Sequence, residues 1–247
     1  MLLMGIMGGM NPLVAFLPGF AQRGDAWASV AERASQKYRS LPIDFSTWTF
    51  DGRLREIADR VDDGDVVVGY SMGGRLALKA ALRRHDKFGA LVLVGTSAGI
   101  EDEGARAERR AADEELADWI EHHTIEEFAE RWEAQPVFAS QSPELVSAQR
   151  PGRLAHEPKQ LARLLRSAGQ GMFEPVWHEL ERIDCPVLAI AGELDTKYAD
   201  AAFRIAERVK HGRARLVPGA GHAPQLERPD EFAALLLDFL DEHFAES

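Results

Sequence analysis

Short apolar runs alternate along this chain with stretches in which apolar residues recur every three or four positions. That alternation predicts a parallel β-sheet joined by crossover helices. "LVAFL" at 13–17 reads as a buried strand, 27–37 as a helix, 43–50 as a second strand and 54–61 as a helix. A third strand at 65–70 runs into a glycine-rich turn, with a helix over 73–84 and a strand over 90–95 behind it. After Gly99 the texture changes. From about Glu101 to His178 no strand-like run occurs, and Glu, Arg and Ala frame apolar residues at helical spacing, as in "RRAADEELADWIEHH". The sheet pattern resumes with "PVLAIAGELD" at 186–195, a helix around 202–209, a strand at 214–217 and an amphipathic helix over 229–244. The expected organisation is one α/β core, residues 11–100 and 179–247, interrupted by a helical cap at 101–178, with no internal repeat and no low-complexity linker.

Composition narrows what such a core can do. The chain has 247 residues, 45% of them hydrophobic and 28% charged, enough for one large α/β domain with an inserted lobe. A formal net charge of -11 argues against nucleic acid and anionic membrane surfaces as partners. Any anionic substrate would therefore need a local cluster of arginine or lysine. Cys185 is the one cysteine, so no disulfide and no multi-cysteine zinc site is available. The eight histidines lack metal-ligand spacing, and a reducing cytoplasm is the simplest compartment. "MLLMGIMGGM" at 1–10 has no basic leader and is too short to span a membrane, so it is expected to be an N-terminal extension, with Met10 an alternative start. The pattern is silent on oligomeric state.

Candidate chemistry begins at "VVVGYSMGGRLALKAAL", residues 66–82, where a strand reverses into a helix at Gly69-Tyr70-Ser71-Met72-Gly73. Small neighbours let the two backbones pass, and Ser71 is thereby set at a helix N-terminus, where the Met72 N–H and the helix dipole favour developing negative charge. A serine hydroxyl becomes reactive only when a histidine takes its proton and an acid orients that histidine. Asp195 follows an apolar run and so lies at the carboxyl edge of the sheet, and His222 sits in "PGAGHAPQLERP" between the last strand and last helix. The order Ser71, Asp195, His222 is that of the α/β-hydrolase triad. Glu193 is a rival acid, and Asp195 could instead cap the helix that follows. "LPGF" at 17–20 occupies the loop that supplies an oxyanion hole, with the N–H groups of Phe20 and Met72 as candidate donors.

Together, "GYSMGGRLAL", "LVLVGTSAGIEDEGARAERRAADEELAD", "ERWEAQPVFAS", "GELDTKY" and "GAGHAPQLERP" resemble the 2-succinyl-6-hydroxy-2,4-cyclohexadiene-1-carboxylate synthase family of menaquinone biosynthesis, from about Leu13 onward. The resemblance implies an α/β-hydrolase fold, a mostly parallel sheet flanked by helices with an inserted helical cap. It also implies a lyase that expels pyruvate from a small-molecule polycarboxylate, with no metal and no organic cofactor. Arg75, Arg109 and Arg153 would then grip substrate carboxylates, with Trp132 and Tyr70 at the pocket wall. Two positions depart from the family: Pro18 stands where histidine is usual, and Glu133 where an aromatic is usual. Read from the residues alone, Arg109 and Arg153 also suit solvated helix faces, Arg75 could pair with a nearby acid, and Trp132 could belong to the core. A serine ester hydrolase or thioesterase would use the same triad, and a binding module with an idle triad is a third class.

Overall fold

A computed structural model describes residues 11–84 and 87–244. The stretch 1–10, with its expected role as an extension, lies outside them. Six parallel strands form one sheet: β1 (Leu13–Leu17), β2 (Arg39–Pro42), β3 (Val66–Tyr70), β4 (Ala90–Val94), β5 (Val187–Gly192) and β6 (Gly212–Val217), in the order β2-β1-β3-β4-β5-β6. Every residue of β3, β4 and β5 is buried. A parallel sheet covered on both faces has no wet side, so its central strands read as unbroken apolar runs. Alternate residues of β1 supply two cores: Ala15 and Leu17 join one, Val14 and Phe16 the other.

The helices are α1 (Ala28–Ala34), α2 (Phe50–Arg60), α3 (Met72–Arg84), α4 (Glu103–Glu121), α5 (Ile125–Glu133), α6 (Pro143–Leu154), α7 (Pro158–Ala168), α8 (Thr196–Arg208), α9 (Pro224–Glu227) and α10 (Pro229–Phe244). Between β4 and β5 the chain forms α4 to α7 and contains no strand. Each of the first three begins on a side-chain cap: Asp102 accepts from the Ala105 N–H, Thr124 and Glu127 form a reciprocal capping box, and Ser142 accepts from the Leu145 N–H. α8 starts six residues before the predicted stretch, directly after Asp195, and the short α9 is an addition to the expected elements.

One predicted strand is wrong. The apolar stretch 43–50 is a loop, and the strand precedes it at Arg39–Pro42. Ile43 is fully buried, and Phe45, Trp48 and Phe50 pack against the core, so the apolar residues report burial without a sheet ladder. The loop's backbone groups find side-chain partners in place of strand neighbours. The Glu56 carboxylate accepts from the N–H groups of Ser46 and Thr47, and Arg53 Nε donates to the Thr47 carbonyl at 3.2 Å. Burial works against a charged Glu56, yet the hydrogen bonds from Ser46 and Thr47 hold its carboxyl below the usual value.

This loop also receives the end of α6. His156, only 8% exposed, meets the Trp48 ring edge-on at 5.5 Å. Burial pushes the His156 imidazole down to about 4, and the charges of Arg53 and Arg23 act in the same direction. The unfolded chain takes up a proton near pH 6.5 while the folded protein resists doing so, so this residue's contribution to stability is complete above 6.5 and is lost as pH falls toward 4. We expect denaturant melts of wild type to weaken more between pH 6.5 and 4 than those of His156→Gln, which cannot charge; parallel pH profiles would refute this.

Candidate active site

The turn between β3 and α3 is steric in origin. A Cβ on Gly69 would lie 2.4 Å from the Gly73 carbonyl oxygen, and one on Gly73 would lie 2.3 Å from the Leu17 carbonyl oxygen. Only glycine lets these backbones pass. Ser71 at the apex takes φ +50, a left-handed conformation that a serine adopts at a cost. It is held there by its N–H donating to the Val94 carbonyl at 2.8 Å and by Thr96 Oγ1 donating to its own carbonyl at 2.9 Å.

His222 reaches the turn from the loop between β6 and α9. The Glu227 carboxylate accepts from the N–H groups of Gly221 at 2.7 Å and Ala223 at 3.0 Å, which clasps the chain on both sides of the histidine. Its ring is enclosed by Tyr198, Tyr70 and Phe138, with centroids at 4.6, 5.4 and 6.4 Å. Nδ1 lies 2.6 Å from Asp195 Oδ2, and Nε2 lies 3.4 Å from Ser71 Oγ. Asp195 precedes α8 but makes no side-chain capping bond, while Glu193 accepts from the Gly219 N–H at 2.9 Å. The geometry therefore pairs Asp195, and not Glu193, with the histidine. With Nδ1–H donating to Asp195, Nε2 is free to take a proton from Ser71.

Above the serine lies a cavity of about 320 Å³. Ser71, Asp195, His222, Phe20, Met72, Tyr70, Trp132, Arg75, Arg109 and Arg153 all line it, so the ten residues picked from the sequence converge on one space. The loop after β1 enters it through a tight turn, with Ala21 at φ +55 and the Gly19 N–H donating to Gln22 Oε1 at 3.1 Å. Phe20 packs edge-on against Trp132 at 5.1 Å, so Trp132 is at once packed and wall-forming. Burial raises the Tyr70 phenol well above its ordinary pKa, and it stays neutral.

The three arginines differ in how their charge is met. Arg75 is 5% exposed and donates from Nη2 to the Ala168 carbonyl at 2.9 Å. No carboxylate among the described residues lies within ion-pair distance of it, and its Nε has no partner. Burial lowers its pKa to about 10, which leaves it charged at neutral pH. Arg109 pairs with Asp113 at 2.8 Å and donates to Gln170 Oε1 at 2.6 Å. Arg153, 3% exposed, pairs with Glu133 at 3.0 Å. The cavity also takes in Gln22, Gln135, Gln170, Lys197 and Tyr198, which the sequence reading did not select. For Lys197 and Tyr198 the one available signal was their place just after Asp195 in "GELDTKY"; Gln170 carried none. No group of three or more His, Cys, Asp or Glu among the described residues could hold a metal, and no described helix is long and apolar enough to cross a membrane.

Comparison with known proteins identifies the family to which this fold belongs. The alpha/beta hydrolase family matches residues 14–235. A Bacillus subtilis protein, provisionally named 2-succinyl-6-hydroxy-2,4-cyclohexadiene-1-carboxylate synthase, is 37% identical over 191 residues, covering 76% of this chain and 70% of its own. The chain belongs to that synthase family. A Salmonella typhimurium synthase of the same name is 28% identical over 231 residues, 89% of this chain and 90% of its own. The solved structure of MenH from S. aureus superposes with a TM-score of 0.87 at 31% identity, covering 96% of both chains. The synthase resemblance read from "GYSMGGRLAL" and "GAGHAPQLERP" is thus borne out, as is the expected fold.

Because the turn is set by backbone contact, Gly73→Ala is expected to cost about 3 kcal/mol or more of stability. Gly152→Ala, inside α6 with nothing nearer its Cβ than 3.7 Å, is expected to gain about 0.5–1 kcal/mol. Thermal denaturation of the two variants checks both signs.

Proposed function

We propose that this protein expels pyruvate from 2-succinyl-5-enolpyruvyl-6-hydroxy-3-cyclohexene-1-carboxylate, giving 2-succinyl-6-hydroxy-2,4-cyclohexadiene-1-carboxylate, a carbon–oxygen lyase step of menaquinone biosynthesis. The observation that carries this reading is Arg75, a buried guanidinium without a carboxylate partner, in the wall of the cavity above Ser71. A buried charge with no carboxylate in contact is costly, and a site for neutral esters has no use for one. A substrate bearing three carboxylates does. We assign Arg109, Arg153 and Lys197 supporting roles at the same wall, and residues 101–178 the role of a cap that delivers Arg109, Trp132 and Arg153. The single cysteine fits a cytoplasmic setting.

The chemistry follows from the hydrogen-bond line. His222, oriented by Asp195, accepts the Ser71 proton on Nε2, and Ser71 removes the proton alpha to the succinyl carbonyl. That carbonyl becomes an enolate held by the N–H groups of Phe20 and Met72, each donor worth roughly a hundredfold to a thousandfold in rate. The electron pair then shifts through the ring alkene, the ring C–O bond breaks, and the departing enolate takes the proton from His222 to become pyruvate. No water is consumed and no bond forms between serine and substrate.

Ser71→Ala and His222→Ala are expected to abolish pyruvate release, and Asp195→Asn to reduce it by roughly 10³ to 10⁴. Glu193→Gln should stay within about twofold of wild type, and equal losses in Glu193→Gln and Asp195→Asn would overturn the assignment of the acid. Arg75→Ala should raise the barrier for this substrate by about 1.5–3 kcal/mol while sparing small neutral esters. Mass spectrometry during a single turnover supplies the counter-test, since an acyl group trapped on Ser71 would favour ester hydrolysis.

A further inference from the structure

Arg153 lines the cavity, but its charge is already engaged from behind. Nη1 lies 3.0 Å from Glu133 Oε1 and 3.4 Å from the Val146 carbonyl, and Nη2 donates to Gln149 Oε1 at 3.1 Å. The other oxygen of Glu133 holds Arg150 at 2.6 Å. The Glu133 side chain is 10% exposed and that of Arg153 3%, so solvent screens their attraction poorly. Glu133 itself is absent from the cavity wall. An anion arriving at Arg153 therefore meets an ion pair, with the Glu133 carboxylate standing behind the guanidinium. Arg75, with no carboxylate in contact, offers such an anion more of its charge than Arg153 does.

We propose that Glu133 is a positioning residue that acts through Arg153: it fixes the guanidinium at the cavity wall and, by competing for it, weakens the hold on whichever substrate or product carboxylate sits there. The consequence is selective. Glu133 loosens binding of polyanions and quickens their exchange, while leaving the proton transfers at Ser71 untouched. Arg150 sets the strength of this competition, because it draws Glu133 away from Arg153. This inference rests on the polycarboxylate lyase reading above.

Glu133→Gln keeps an acceptor oxygen for Arg153 and removes the competing charge. With the natural substrate, KM and the inhibition constant of the cyclohexadiene product are both expected to fall, by roughly threefold to thirtyfold. The rate of the chemical step in a single turnover should stay within about twofold. Arg150→Gln should act in the opposite sense, raising KM as Glu133 settles more fully on Arg153. A role in packing alone would lower stability in both variants without moving KM in opposite directions. Unchanged or raised KM in Glu133→Gln, in a protein whose wild type releases pyruvate, would overturn the inference. Wild type that releases no pyruvate would instead remove the lyase reading beneath it.

Discussion

The closeness with which α3 passes the carboxyl end of β1 governs the rest of the molecule. Gly69 and Gly73 bring backbone against backbone, at separations that admit no side chain. That contact forces Ser71 into its left-handed conformation, sets it at the first turn of a helix, and draws the Pro18–Gln22 segment alongside. A hydroxyl, the N–H groups of a helix start and a second loop become neighbours through one steric fact. His222 and Asp195 need only arrive from the ends of β6 and β5, which the parallel sheet places on the same edge.

The parts of this arrangement that the sequence displays are those where local chemistry and position along the chain coincide. "GYSMGG" is legible because only a sharp strand-to-helix turn needs glycine on both sides of a serine. β3, β4 and β5 are legible because burial on two faces leaves them no polar residues. The stretch 43–50 misleads for a physical reason: Ile43, Phe45, Trp48 and Phe50 make it as apolar and aromatic as a strand, but the strand ends at Pro42 and Glu56 satisfies the backbone beyond it. The early start of α8 is hidden because it opens on the exposed Thr196 and Lys197, before the buried Tyr198 and Ala199. Gln170 owes its place to the packing of distant segments, which leaves no trace in spacing. The choice between Asp195 and Glu193 likewise needed coordinates, since only Leu194 separates them and direction alone tells them apart.

Charge is graded within the cavity of a chain whose overall balance is strongly negative. Arg109 is shared with Asp113, Arg153 with Glu133, and Arg75 with no carboxylate among the described residues. The excess of acid over base along the sequence thus says little about the field at Ser71. Where each acid lies relative to each guanidinium decides it, and the buried positions count most because water screens them least.

The depth of Arg75 carries a lesson about which cation can serve there. Burial lowers the Arg75 guanidinium to about 10, and at neutral pH it still holds its proton. The same burial imposed on an ammonium, which starts from a lower pKa than a guanidinium, would bring it closer to shedding its proton. A lysine could occupy the volume and present a similar stem, yet its attraction for carboxylates would rise and fall with the acidity of the medium. Arginine makes the pull on the substrate independent of that variable.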